Sequence, residues 1–379
     1  MPSARKKKNL KEEIRSDTKN RFLPLIFIGL VLVLGAVSYT IGFSDLFSVH
    51  YDRANAQTNA TSTSNAPAVP VVPALDKVAY DAKLLSVANE PVPKVSSTST
   101  STPPKHYLWP VKTAYPLAGA LLPFNRVVAY YGNFYSTQMG VLGASPPQQM
   151  LQQLQAAAQQ WKIADPNTPV IPAIDYIAIT AQGSAGADGK YRARMPASQI
   201  NEAITLANQV HGITILDIQV GLSNVQTEVP LLKTYLEQPN VELALDPEFA
   251  MHNGAKPGTV IGSLDASDIN WTANYLAGLV TANNLPPKIL VVHRFTQDMV
   301  TRTADITPLP QVQIVMDMDG WGSQAKKLNT YQQEIATQPV EFTGFKLFYK
   351  NDLRAPSTGL LTPAQVLRLT PQPLFIQYQ

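Results

Sequence analysis

Eight short apolar runs recur between residue 126 and Gln379, and most are separated by a stretch with helical spacing. They read "RVVAYYG" (126–132), "PVIPAIDYIAI" (169–179), "ITILDIQVG" (213–221) and "VELALD" (241–246). The later four are "KILVVHRF" (288–295), "VQIVMDMDG" (312–320), "FTGFKLFY" (342–349) and "PLFIQYQ" (373–379). Between them, segments such as "PPQQMLQQLQAAAQQWK", "PASQINEAITLANQVH" and "ASDINWTANYLAGLVTANN" return apolar residues every three or four positions. Eight strands alternating with helices define the α/β class and match the count and size of a (β/α)8 TIM-like barrel, here spanning 106–379. The fifth helical stretch, "TQDMVTRTADI", is the shortest. No Gly-rich nucleotide loop follows any run, so an open doubly wound sheet is the poorer reading. Either 107–124 or 74–90 is expected to cover the barrel beside the eighth strand.

In such a barrel, chemistry sits where the loops converge at the C-terminal strand ends. Polar residues gather there: Tyr131, Asn133, Asp175, Asp217, Gln219, Asp246, Glu248, His293, Asp317, Asp319 and Lys346. Alternation says which of them point inward. Thr214, Leu216, Ile218 and Val220 form a nearly apolar face, leaving Ile213, Ile215, Asp217 and Gln219 on the other. Asp317 and Asp319 share a face with Gln313 and Val315, as Asp175 does with Ala173. If the more apolar faces meet the helices, these acids enter the barrel mouth, where like charges shift one another's pKa. A structural alternative stays open for each: Asp319 as a turn acid in "DMDG", Asp175 or Asp217 paired with Arg294 or Lys346, His293 as an interior histidine.

The stretch "VELALDPEF" sets Asp246 and Glu248 where a strand runs out. Read as an extended strand end, it projects both carboxyls to one side. Such a pair suits glycosidic cleavage, in which one carboxyl protonates the leaving oxygen. Glu248 is the expected acid, with Asp246 raising its pKa and orienting a substrate group. Trp321 in "DGWG" and Tyr131 are expected stacking surfaces for sugar rings, whereas Trp271 lies in a helical pattern and reads as core. Asn133, Asp175, Asp217, Gln219, His293, Asp317, Asp319 and Lys346 are the expected substrate-binding groups. A non-catalytic carbohydrate-binding or scaffold barrel is the alternative. Metal-assisted hydrolysis by Asp175, Asp217, Asp317, Asp319 and His293 is a third reading, but no metal or cofactor is expected.

The chain has no cysteine, which removes disulfides, thiolate nucleophiles and thiolate zinc sites. Its five histidines show no HExxH spacing, and "GSAGADGK" lacks the spacing of a phosphate-binding loop.

"LALDPEF" resembles the strand-four LDxE of lysozyme-like glycoside hydrolases of family 25 and the D-x-E end of the family 18 chitinase signature. The resemblance implies that Glu248 is the acid and that Asp246 assists an N-acetyl group or an intermediate. The fuller chitinase pattern would place acids at Val241 and Ala244, and the lysozyme pattern one on the first strand, where this chain reads "AYYGN". From Asn125 to Gln379, with "YYGN", "LPPKILVVHRF", "DGWG" and "FIQYQ", the chain also resembles a group of exported bacterial proteins of unassigned function. That likeness implies export and a single domain.

Ahead of the barrel the texture differs. Eight basic and three acidic residues precede Phe22, and the total charge is +3, so the remainder is slightly acidic and nucleic-acid binding is not expected. Residues 22–43 carry no charge and are long enough for a membrane-spanning helix. The basic flank predicts a cytoplasmic N-terminus, residues 1–21, and an extracellular body. "ANA" at 54–56 lies well beyond the apolar run, so an uncleaved, single-pass anchor is expected. Residues 44–105, rich in Ala, Asn, Ser, Thr and Pro, read as a low-complexity stalk in which 74–90 could form a short helix. The expected partners are thus the membrane and a cell-envelope polysaccharide.

Overall fold

The structure, a computed structural model, describes residues 73–90 and 107–379. The basic tail, the uncharged run 22–43 and most of the expected stalk lie outside the described residues. Among the described residues no helix is long and apolar enough to cross a membrane.

Eight parallel strands close into a barrel. They are β1 (Arg126–Gly132), β2 (Val170–Ala181), β4 (Ile213–Ile218), β5 (Val241–Leu245), β7 (Lys288–Arg294), β9 (Val312–Met318), β10 (Phe342–Leu347) and β11 (Phe375–Tyr378). Pairing of β1 with both β2 and β11 completes the ring. The short β3 (Arg192–Arg194) adds an antiparallel edge to β2, and β6 (Leu264–Asp265) pairs with β8 (Val300–Thr301) outside the barrel. Each barrel strand starts within two residues of the apolar run that announced it.

Alternation sorts the side chains. Val127, Ala129, Ala173, Ile215, Ala244, Val291, Val315 and Phe375 fill the interior. The opposite faces, including Val128, Ile174, Leu216, Leu243 and Ile314, pack on the surrounding helices. Each such aliphatic side chain contributes about 1.5–3 kcal/mol when fully removed from water. Those helices are α2 (Pro147–Ala164), α3 (Ala197–Gln209) and α6 (Ala266–Asn283), with shorter α4 (Val225–Glu228), α5 (Lys233–Leu236), α7 (Gln324–Thr330) and α8 (Pro363–Val366). The α6 helix begins where sequence chemistry dictates: Asp265 caps Ser267, and the Asp268 carboxylate accepts from the Asp265 amide. The fifth helix is absent, replaced by two 3-10 turns around β8; Arg302 there takes a left-handed backbone that breaks helical continuity.

Two N-terminal segments correct the expected stalk and cover. Helix α1 (Lys77–Ala88) belongs to the folded body rather than to a stalk, because it buries Tyr80, Val87 and Ala88. The Gln372 amide donates to the Val87 carbonyl, and Asn89 donates to the Leu369 carbonyl. Leu122 enters the interior itself and exchanges two hydrogen bonds with Gln313, at 3.1 and 2.7 Å. Both segments therefore close the N-terminal end of the barrel instead of flanking its eighth strand. The outer faces of β1 and β11 are covered by α2, where Trp161 donates to Tyr378 at 3.0 Å.

Candidate functional site

At the C-terminal ends of the strands lies a cavity of about 470 Å³. Of the residues expected there, Tyr131, Gln219, Asp246, Glu248, Asp319, Trp321 and Lys346 line it. Asp175, Asp217, His293 and Asp317 do not; they form a buried layer directly below. Asn133 ties its loop to β2, donating to the Ile177 carbonyl at 3.1 Å and accepting from the Tyr135 amide of its own loop at 2.9 Å. It is a loop-shaping residue, not a lining one.

The lower layer centres on His293 at the end of β7. Its Nδ1 lies 3.0 Å from Asp317 Oδ2 and its Nε2 lies 3.0 Å from Asp217 Oδ2. Burial alone would lower the histidine pKa, but the two carboxylates overcome it and hold the ring well above its usual value. An imidazolium donating from both nitrogens satisfies this arrangement. Asp317 in turn needs space: a Cβ on the facing Gly344 would sit 2.5 Å from Asp317 Oδ1. Glycine at 344 is thus what admits the acid. Asp175, buried on β2, accepts from Gln377 and is pushed upward by burial and by Asp217. Neither acid of the expected Arg294 pairing is engaged by that residue, which turns outward to Thr303 and two carbonyls.

On the cavity floor Lys346 lies 3.0 Å from Asp319 and 3.9 Å from the Tyr131 ring centre. Gln219 donates to Asp246 Oδ2 at 3.0 Å and to the Tyr131 hydroxyl at 3.2 Å. Asp246, wholly buried and crowded by Asp217, has its pKa held well above the carboxylate range. Among the described residues, one oxygen each of Asp175, Asp217, Asp246 and Asp317 has no hydrogen-bond partner. Burying polar oxygens without partners is costly, and folds rarely do it for stability alone.

Glu248 differs from the extended geometry that the sequence suggests. The strand stops at Leu245, and Pro247–Phe249 form a 3-10 turn with Glu248 in its middle. Proline at the first turn position, lacking an amide to continue the ladder, forces that change. The turn is fixed to the neighbouring loop, where the Gly221 amide donates to the Phe249 carbonyl and the Gly221 carbonyl accepts from the Met251 amide. Gly221 has φ of +60°, and a Cβ there would meet the Lys190 carbonyl at 2.5 Å. Glu248 remains half-buried on the cavity wall, with no ion pair or side-chain hydrogen bond among the described residues. Its pKa is pushed up to about 7, first by burial and then by Asp319, while Lys346 and His293 pull the other way. The neighbour that raises it is therefore Asp319 and not Asp246.

Sequence reasoning missed a second buried pair that shapes the mouth. Lys327 lies 2.9 Å from Asp352 and donates to the carbonyls of Gly320 and Lys346 at 2.8 and 2.7 Å. Asp352 also accepts from the Gly322 and Phe348 amides. This clamp joins the loop carrying Trp321 to the end of β10. The only signal in the sequence is a lysine inside an apolar helical face.

No family model matches the chain, and no relative among the curated proteins does. Among solved structures it is similar to the Bacillus subtilis mannanase man26, at 15% identity over 68% of this chain and 80% of that one, with a TM-score of 0.36. The YdhT protein of Bacillus subtilis shares 12% identity over 68% and 81%, also at 0.36. A GH18 chitinase from Pseudoalteromonas aurantia shares 9% over 67% and 94%, at 0.33. At such scores the likenesses do not bear on the chemistry, which rests on the residues of the mouth themselves.

Proposed function

We propose that the chain is a membrane-anchored glycoside hydrolase whose barrel mouth cleaves an N-acetylated polysaccharide of the cell envelope. The observation that carries this reading is Glu248, a carboxyl with no ion pair or side-chain hydrogen bond among the described residues, half-buried on an open cavity that also holds an exposed tryptophan. With its pKa pushed up to about 7, a sizeable fraction of Glu248 carries a proton at neutral pH and can deliver it to the leaving glycosidic oxygen. The other two lining carboxyls are committed, Asp246 to Gln219 and Asp319 to Lys346. A substrate-assisted route suits that arrangement. The acetamido oxygen attacks the anomeric carbon as the leaving oxygen takes the Glu248 proton. Water then opens the cyclic intermediate and returns a proton to Glu248. Trp321, 45% exposed, offers a stacking surface on the wall, whereas the buried Tyr131 ring is covered by Lys346. The basic residues before the uncharged run 22–43 orient the barrel outside the cell.

Incubating the full chain with peptidoglycan and assaying new reducing ends tests the reading. Release is expected from the parent and not from Glu248→Gln, which keeps sugar binding. Binding without release by the parent would instead define a non-catalytic carbohydrate-binding barrel. Protease added to intact cells should remove the body and spare the tail.

A further inference from the structure

We infer that the Trp321 wall of the cavity is a subsite for an anionic sugar, one carrying a carboxylate or a phosphate. The inference deepens the reading of the cavity as a glycan site and rests on it. Trp321 is 45% exposed, too much for a core aromatic. Lys326 Nζ lies 5.1 Å and the Arg354 guanidinium carbon 5.4 Å from the centre of its ring. Both distances are within cation–π range, so the indole gathers two positive charges at one place. Both cations are exposed, and neither has an ion-pair partner among the described residues. Lys326 lines the cavity and Arg354 extends the charge beyond it.

The platform is built rather than incidental. Trp321 and Arg354 come from separate loops, yet the buried Lys327–Asp352 pair ties those loops together, with Asp352 accepting from the Gly322 amide at 2.9 Å. A Cβ on Gly322, at φ of +143°, would press to 2.8 Å from the Lys326 side chain, so glycine lets that lysine fold back toward the ring. An aromatic face with a guanidinium and an ammonium beside it recognises a pyranose ring bearing anionic oxygens: the ring stacks, and the oxygens take charge-assisted hydrogen bonds.

Binding is the test, with Glu248→Gln as the parent so that cleavage does not intervene. Two pairs of probes are titrated against the full chain: trigalacturonate with its methyl ester, and a phosphorylated oligomannoside with its dephosphorylated form. The acidic member of at least one pair should bind about tenfold more tightly than its neutral partner. Which pair responds tells carboxylate from phosphate. Replacing Lys326 and Arg354 together by glutamine should erase that preference, and Trp321→Ala should weaken both members of the responding pair. Equal binding within both pairs, absence of binding to all four probes, or a preference surviving the double replacement overturns the subsite. Reducing-end release from peptidoglycan by the unmodified chain is read separately. Release without acidic preference overturns the subsite alone, whereas acidic preference without release overturns only the hydrolase.

Discussion

The two ends of the barrel bury carboxyl groups in opposite ways. At the N-terminal end Glu242 accepts from the Ile289 amide and Glu341 from the Ile314 amide, while Leu122 and Gln313 seal the interior above them. Those acids serve the backbone. At the mouth, Asp175, Asp217, Asp246 and Asp317 each keep an oxygen without a hydrogen-bond partner among the described residues, and the charges that balance them are side chains, Lys346 and His293. The contrast teaches that burial alone does not mark a site. What marks the mouth is burial combined with unspent hydrogen-bonding capacity next to an open cavity.

The comparison breaks most visibly at Lys346. Lys346→Met leaves Asp319 buried without its cation and should cost about 3–5 kcal/mol in denaturant unfolding. At the sealed end, Leu122→Ala should cost a similar amount, about 2–5 kcal/mol. The two differ in consequence: only the mouth variant should move the titration of Glu248. Gly344→Ala should follow at about 1–3 kcal/mol, because the added methyl meets Asp317 and the Phe375 ring. Finding Gly344→Ala as stable as the parent would mean that the Asp317 position is not tightly set.

Acidity sharpens the contrast further. Burial raises Glu341 from 4.5 to about 8, so the folded state binds its proton more tightly than the unfolded chain. Its stabilising contribution is full below pH 4.5 and is lost as pH rises toward about 8. Glu341→Gln should therefore flatten that part of the stability profile without affecting sugar cleavage, as pH-dependent melting would show. At the mouth the smallest effects separate two neighbours. A general acid is active only while protonated, so the alkaline limb of the cleavage profile follows Glu248. Asp319→Asn removes the charge that raises Glu248 and should shift that limb to lower pH. Asp246→Asn, at a carboxyl that is not among the groups shifting Glu248, should leave the limb in place.

Much of this was legible in the sequence, for a physical reason. Strand side chains alternate with a period of two, so the inward placement of Asp175, Asp217 and Asp317 followed from their apolar partners on the opposite face. What alternation cannot reach is anything beyond the last paired residue. Alternation extrapolates Glu248 onto an extended strand end, and Pro247 turns the chain into a 3-10 turn instead. Asn133 sits at a strand end as a ligand-facing residue would, but the Ile177 carbonyl of β2 and the Tyr135 amide of its own loop take both ends of its side chain. The Lys327–Asp352 clamp joins residues 25 apart across two loops, and no local pattern encodes such a pairing. Helix α1 looks like part of a stalk in the sequence because Ala- and Ser-rich surroundings mask its few buried residues, Tyr80 and Val87 among them.

The central claim is that the mouth holds Glu248 as an acid poised near neutrality. Carboxyl-carbon NMR across a pH titration, with Glu248 assigned by its loss in Glu248→Gln, measures this directly. The account predicts a midpoint near 7, moving downward in Asp319→Asn. A midpoint at the ordinary value of 4.5, unmoved by Asp319→Asn, would contradict it.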